Sequence, residues 1–129
     1  MKKILLPILT VGLLSSLAGC SDINDELKTL SEDTNKQLPK KLNPFVTMEK
    51  TESKDHGFSI FYTMTRVTAE EIDDDTIATT KQMVVDLTCK DGDIKDYLEQ
   101  DVEITYVLND KNGEHVRDIS VKKKDCPEL

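Results

Sequence analysis

The sequence predicts a small α+β domain: a four-stranded, mostly antiparallel sheet with helices packed on one face and one disulfide. Three observations predict it. Two pairs of segments alternate like strands about turn signals, other stretches carry apolar residues at helical spacing, and the order along the chain is helix, strand pair, helix pair, strand pair.

The elements follow in order. Residues 21–43 are polar, with Ile23, Leu27, Leu30 and then Leu38 and Leu42 on one helical stripe. Asp22 is a candidate N-cap, and Pro39 should end the helix at or before Leu38, because the residue preceding a proline is pushed out of the helical region. A disordered spacer is the alternative for this stretch. Residues 45–51 and 58–67 are rich in aromatic, β-branched and threonine residues, with Ser53-Lys54-Asp55-His56-Gly57 as the turn between them. Phe58, Ile60, Tyr62 and Met64 share one face. Thr68-Ala69-Glu70-Glu71 has the form of a capping box, and Asp73-Asp74-Asp75 reads as a solvated acidic loop. A helix near 76–90 carries Ile77, Met83, Val84 and Leu87, with Cys89 on its last turn. After Asp91-Gly92, a short helical stretch puts Ile94, Tyr97 and Leu98 on one side. Val102 to Leu108 alternates, Asn109 to Glu114 turns with an Asn-Gly signal, and His115 to Lys122 returns. Cys126 lies just past that strand.

Ahead of the domain, Met1-Lys2-Lys3 is basic and residues 4–14 are apolar, with small residues approaching Cys20. That is the layout of an export signal, and the run is short for a spanning helix, which needs about 20 mostly apolar residues. Leu17-Ala18-Gly19-Cys20 resembles the lipobox of bacterial lipoproteins. The resemblance implies cleavage before Cys20 and a thioether-linked diacylglycerol on its sulfur. Two or three acyl chains suffice for stable anchoring where one is marginal. The expected organisation is a signal peptide at 1–19, a lipidated N-terminus and short tether at 20–22, and one α+β domain at 23–129. Ser21 stands where aspartate would signal inner-membrane retention in enterobacterial lipoproteins, so resemblance to that rule points to the periplasmic face of the outer membrane. In a Gram-positive host the anchor would be the cell membrane.

Removing residues 1–19 takes two lysines and no acids, which moves the formal charge from −8 to −10. An acidic chain without a basic patch is a poor nucleic-acid binder, since that binding rests on neutralising phosphates. With Cys20 committed to lipid, Cys89 and Cys126 remain as an even pair in an oxidising compartment, and a disulfide is the natural reading. Closing a loop of about 37 residues stabilises by about 4 kcal/mol in the chain-entropy model. A redox-active pair is the alternative, although the Cys-x-x-Cys spacing is absent.

Catalytic signals are missing. His56 and His115 both fall at or beside turns, without a cysteine or carboxylate at a metal-ligand spacing. The acidic run lacks the calcium-loop pattern, and the sequence has neither a Gly-x-Ser-x-Gly elbow nor a glycine-rich phosphate loop. The expectation is a tethered binding or assembly module with no cofactor, metal or catalytic residue. The apolar face of the 76–90 helix and the Tyr97-Leu98 face are candidate docking surfaces, with ordinary core as the competing reading.

A lipobox, a helix ending in Gln37-Leu38-Pro39, a strand pair, a helix carrying Cys89, Tyr106 in a strand, the turn from Asn109-Asp110 to Gly113, a return strand and Cys126 together resemble the beta-type pilotin lipoproteins of the type II secretion system. The resemblance implies a small disulfide-bridged sheet flanked by helices that binds the C-terminal segment of an outer-membrane secretin. It also implies a lipid that engages the lipoprotein-sorting machinery and carries the secretin to the outer membrane. It transfers Cys20 as the lipid site and Cys89 with Cys126 as the disulfide; no motif marks partner-binding residues. The rival is an inhibitory or exclusion lipoprotein that blocks a receptor, hydrolase or phage at the envelope. A third reading, a small-ligand binder, requires a sizeable pocket.

Overall fold

A computed structural model describes residues 22–127. Its elements are α1 (Ile23–Asn35), β1 (Lys40–Asn43), β2 (Val46–Lys54), β3 (Gly57–Met64), α2 (Asp74–Lys90), α3 (Gly92–Glu99), β4 (Glu103–Asn109) and β5 (His115–Val121), with 3₁₀ turns at Ala69–Glu71 and Lys123–Asp125. The strands form one sheet in the order β1-β2-β3-β4-β5. The central β3–β4 pair is parallel and the other pairs are antiparallel. The expected α+β sheet is therefore present with five strands, not four. The missed strand, Lys40-Lys41-Leu42-Asn43, is exposed at every position, so it lacks the alternation that marks a half-buried strand. Charged, short edge strands of this kind resist further pairing.

Helix α1 begins where the sequence indicates: the Asp22 carboxylate accepts from the Asn24 backbone N–H at 3.0 Å. It stops at Asn35, short of Leu38, and Leu42 belongs to β1. The N–H groups of Lys36 and Gln37 bond to the carbonyls of Asp33 and Thr34, which tightens the last turn. Leu27 is fully buried against the sheet. Asn35 closes the edge of β2 beyond β1: its Oδ1 accepts from Thr51 N–H at 2.7 Å and its Nδ2 donates to Thr51 C=O at 3.0 Å. A side-chain amide thus supplies the donor and acceptor that another strand would.

The β2–β3 register shifts between Met48 and Lys50, pairing Lys50 with Phe61 and Thr51 with Ile60. Lys50 then lies over the Phe61 ring at 4.6 Å, while Thr51 turns to the helical side and meets Ser31 Oγ at 2.8 Å. Phe58 and Ile60 of β3, Ile104, Tyr106 and Leu108 of β4, and Ile119 and Val121 of β5 join Leu27, Leu98 and Val102 in one core. The row Ser59, Thr105 and Ser120 runs in register across the other face, where the Thr105 and Ser120 hydroxyls lie 3.3 Å apart.

Helix α2 starts earlier than the apolar spacing suggests. Asp73 is its N-cap, accepting from Thr76 N–H at 2.7 Å, and Asp74 and Asp75 occupy the first turn. The acidic run is therefore a helix start and not a loop, because carboxylates are favoured at the positive end of the helix dipole. The bond from Thr76 holds the Asp73 carboxyl below its usual range.

Asp110 fixes where the chain enters α2. Its side chain is fully buried, with Oδ2 accepting from Ala69 N–H at 2.9 Å and Oδ1 accepting from Asn112 and Glu114 N–H at 2.8 Å each. Burial pushes this carboxyl up, but the donated bonds from Ala69, Glu114 and Asn112 outweigh it and hold the group below its usual range. A depressed folded-state pKa contributes stability above the unfolded carboxylate range near 4, and that contribution is lost as pH falls through the folded value. Asp110→Asn turns one acceptor into a donor facing backbone N–H groups. The variant should melt at lower temperature near neutral pH, and the gap to the native chain should narrow in thermal melts as pH is lowered to about 3. A gap that stays constant would show that Asp110 contributes no proton-linked stability.

Candidate functional site

Between α2 and the sheet lies an apolar cleft of about 450 Å³. Thr80, Met83, Val84, Leu87 and Thr88 line it from α2, a spacing that places them along one helix face. Its floor is the sheet, where Val46 of β2, Tyr62 and Met64 of β3, and Tyr106 and Leu108 of β4 lie side by side, and Asp91 and Ile94 close one end. Met83 and Leu87 are 54% and 63% exposed, respectively. They also border a shallow depression with Ala78, Thr79, Gln82 and Asp86 on the outer side of the helix.

Two stacked tyrosines make the floor. The Tyr62 and Tyr106 rings are 6.1 Å apart with a 21° interplanar angle. Tyr106 Oη and Thr88 Oγ1 share a hydrogen bond of 2.6 Å, which ties α2 to the sheet. Tyr62 Oη has no hydrogen-bond partner among the described residues. Burial, with a smaller contribution from Tyr106, pushes the Tyr62 hydroxyl up to about 12, and burial raises Tyr106 as well. Both hydroxyls keep their protons at neutral pH.

The candidate surfaces named from the sequence divide here. Leu98 is fully buried and belongs to the core, whereas the α2 face is only partly covered and opens as the cleft. The structure brings Cys89 and Cys126 together as a disulfide, fastening the last turn of α2 to the chain beyond β5. Cys20 lies outside the described residues, as do the expected signal and most of the tether. His56 and His115 stay apart, each bonded to an aspartate: His56 Nδ1 to Asp55 Oδ1 at 2.9 Å and His115 Nε2 to Asp118 Oδ1 at 2.7 Å. A second, polar depression of about 810 Å³ lies at the opposite end of the strands, where Asp55, Asp101 and Glu103 mix with Lys122, Lys123 and Lys124. Tyr62 and Tyr106 were legible as strand residues, but their meeting opposite α2 depends on the β3–β4 register, which sequence spacing does not encode.

The same fold occurs in solved structures. A protein of Pseudomonas aeruginosa assigned as secreted superposes with a TM-score of 0.67 at 14% identity, covering 82% of this chain and 98% of its own. EpsS, the pilotin of the Vibrio vulnificus type 2 secretion system, gives 0.67 at 12% identity over 80% of this chain and 90% of its own. AspS, the type II secretion pilotin of Vibrio cholerae, gives 0.58 at 15% identity over 80% and 94%. The resemblance read from the sequence thus holds at the level of fold. No protein-family model and no curated protein sequence matches the chain.

Fixing α2 through Cys89–Cys126 has a measurable consequence. Replacing both cysteines by alanine should cost about 2–5 kcal/mol, read as a lower midpoint in denaturant titration. An unchanged midpoint would show that packing alone holds α2 over the sheet.

Proposed function

We propose that this protein is a lipid-anchored pilotin, non-catalytic, that binds the C-terminal segment of an outer-membrane secretin and promotes its targeting and assembly. In this reading residues 1–19 are removed, Cys20 carries the lipid, and the lipoprotein-sorting machinery delivers the pair to the periplasmic face of the outer membrane. No described helix is long and apolar enough to cross a membrane. The observation that carries the proposal is the apolar cleft under α2, open to an occupant, on a fold shared with two type II secretion pilotins.

In this reading the cleft receives a helix. Residues from Thr80 to Thr88 wall it along α2, and Met83 and Leu87 are more than half exposed there. An amphipathic helix docks in such a groove through anchors spaced three and four residues apart. Methionine at the rim adapts to irregular apolar partners.

The test uses the full chain in its own host. Leu87→Asp places a charge at a position already more than half exposed, so the fold should persist while the cleft loses its apolar wall. Native chain isolated from detergent-solubilised envelopes should retain the secretin, and the secretin's C-terminal peptide should displace it. Leu87→Asp should retain less than about a tenth as much, the loss expected when a charge is buried without a partner. Equal recovery by both would contradict the cleft as the binding site. Recovery of a receptor or hydrolase in place of a secretin would favour an inhibitory lipoprotein.

A further inference from the structure

The cleft is mostly apolar, with Thr80 and Thr88 on α2, Asp91 and the two floor tyrosines as its polar residues. Tyr106 is satisfied by Thr88, whereas its stacked neighbour Tyr62 offers an O–H with no acceptor among the described residues. Tyr62 is partly exposed, so in the free protein water can partner that hydroxyl. Once an apolar helix seals the mouth, water is excluded and an unpaired donor is stranded, a loss comparable to breaking a hydrogen bond. A wholly apolar occupant is therefore disfavoured at this one position.

We infer that the segment bound in the cleft presents one uncharged hydrogen-bond acceptor from the middle of its apolar face to Tyr62 Oη, making Tyr62 the residue that selects among apolar helices. The inference rests on the pilotin reading and specifies its partner. Two features favour an uncharged group. Asp91 lines the same cleft, so a carboxylate brought in beside it would meet a like charge. A chain carrying 25 acidic against 17 basic residues adds repulsion from further away. A side-chain amide or hydroxyl supplies such an acceptor without carrying charge. The occupant would thus follow the rule seen at specific sites, where a buried polar pair discriminates more sharply than apolar area does.

The experiment measures binding of a synthetic peptide, the C-terminal segment of the host's secretin, to the full chain purified in mild detergent. The comparison is between native protein and Tyr62→Phe, which removes one oxygen and keeps the ring stacked on Tyr106. Tyr62→Phe should weaken binding about 5- to 10-fold with an unchanged melting temperature. Replacing the peptide's central amide or hydroxyl residue by leucine should weaken binding to native protein similarly and leave binding to Tyr62→Phe unaffected. Equal or tighter binding by Tyr62→Phe would overturn the inference and leave the pilotin reading intact. Absence of binding by the native chain would overturn both.

Discussion

The parallel pairing of β3 with β4 is the constraint from which the rest of the structure follows. Antiparallel neighbours can be joined by a tight turn, but a parallel partner must be reached by carrying the chain back along the sheet. Here α2 and α3 make that return, and the two hairpins attach on either side. The result is a sheet whose face is covered unevenly. Helix α3 buries Leu98 completely, while α2 stands off enough to leave Met83 and Leu87 exposed above the two tyrosines. The cleft is thus a product of the crossover.

Because α2 has a thin apolar footing, the molecule secures it by other means. Its entrance is set by Asp110, which holds Ala69 to the β4–β5 turn, and its last turn is held twice, by the Thr88–Tyr106 hydrogen bond and by Cys89–Cys126. In a domain of this size, with a modest core, such point attachments matter more than they would in a larger protein. They also keep the wall of the cleft in place without filling the cleft.

Much of this was legible in the chain. Phe58 to Met64 and Val102 to Leu108 alternate because Phe58, Ile60, Ile104, Tyr106 and Leu108 turn to the core, and Asp22 and the Asn109–Gly113 turn declare themselves by local hydrogen bonding. The first strand was not legible: Lys40 to Asn43 is an exposed edge, so burial leaves no pattern in it. The start of α2 was obscured because Asp73 to Asp75 serve the helix through charge and capping, which hydrophobic spacing does not register. The cleft itself could be foreseen only as a surplus of apolar residues on α2. Whether Met83 and Leu87 would be core or surface depended on how closely the crossover lies on the sheet, which is a tertiary matter.

The central claim is that the face of α2 over the sheet holds a secretin segment in the living cell. The most direct measurement is site-specific photocrosslinking, with a photoreactive amino acid at Met83 in the full chain and a control at Glu52, an exposed position on β2 that does not line the cleft. The account predicts a covalent adduct to the secretin's C-terminal segment from Met83 and none from Glu52. Adducts from Glu52 alone, or from Met83 to a protein other than a secretin, would contradict it.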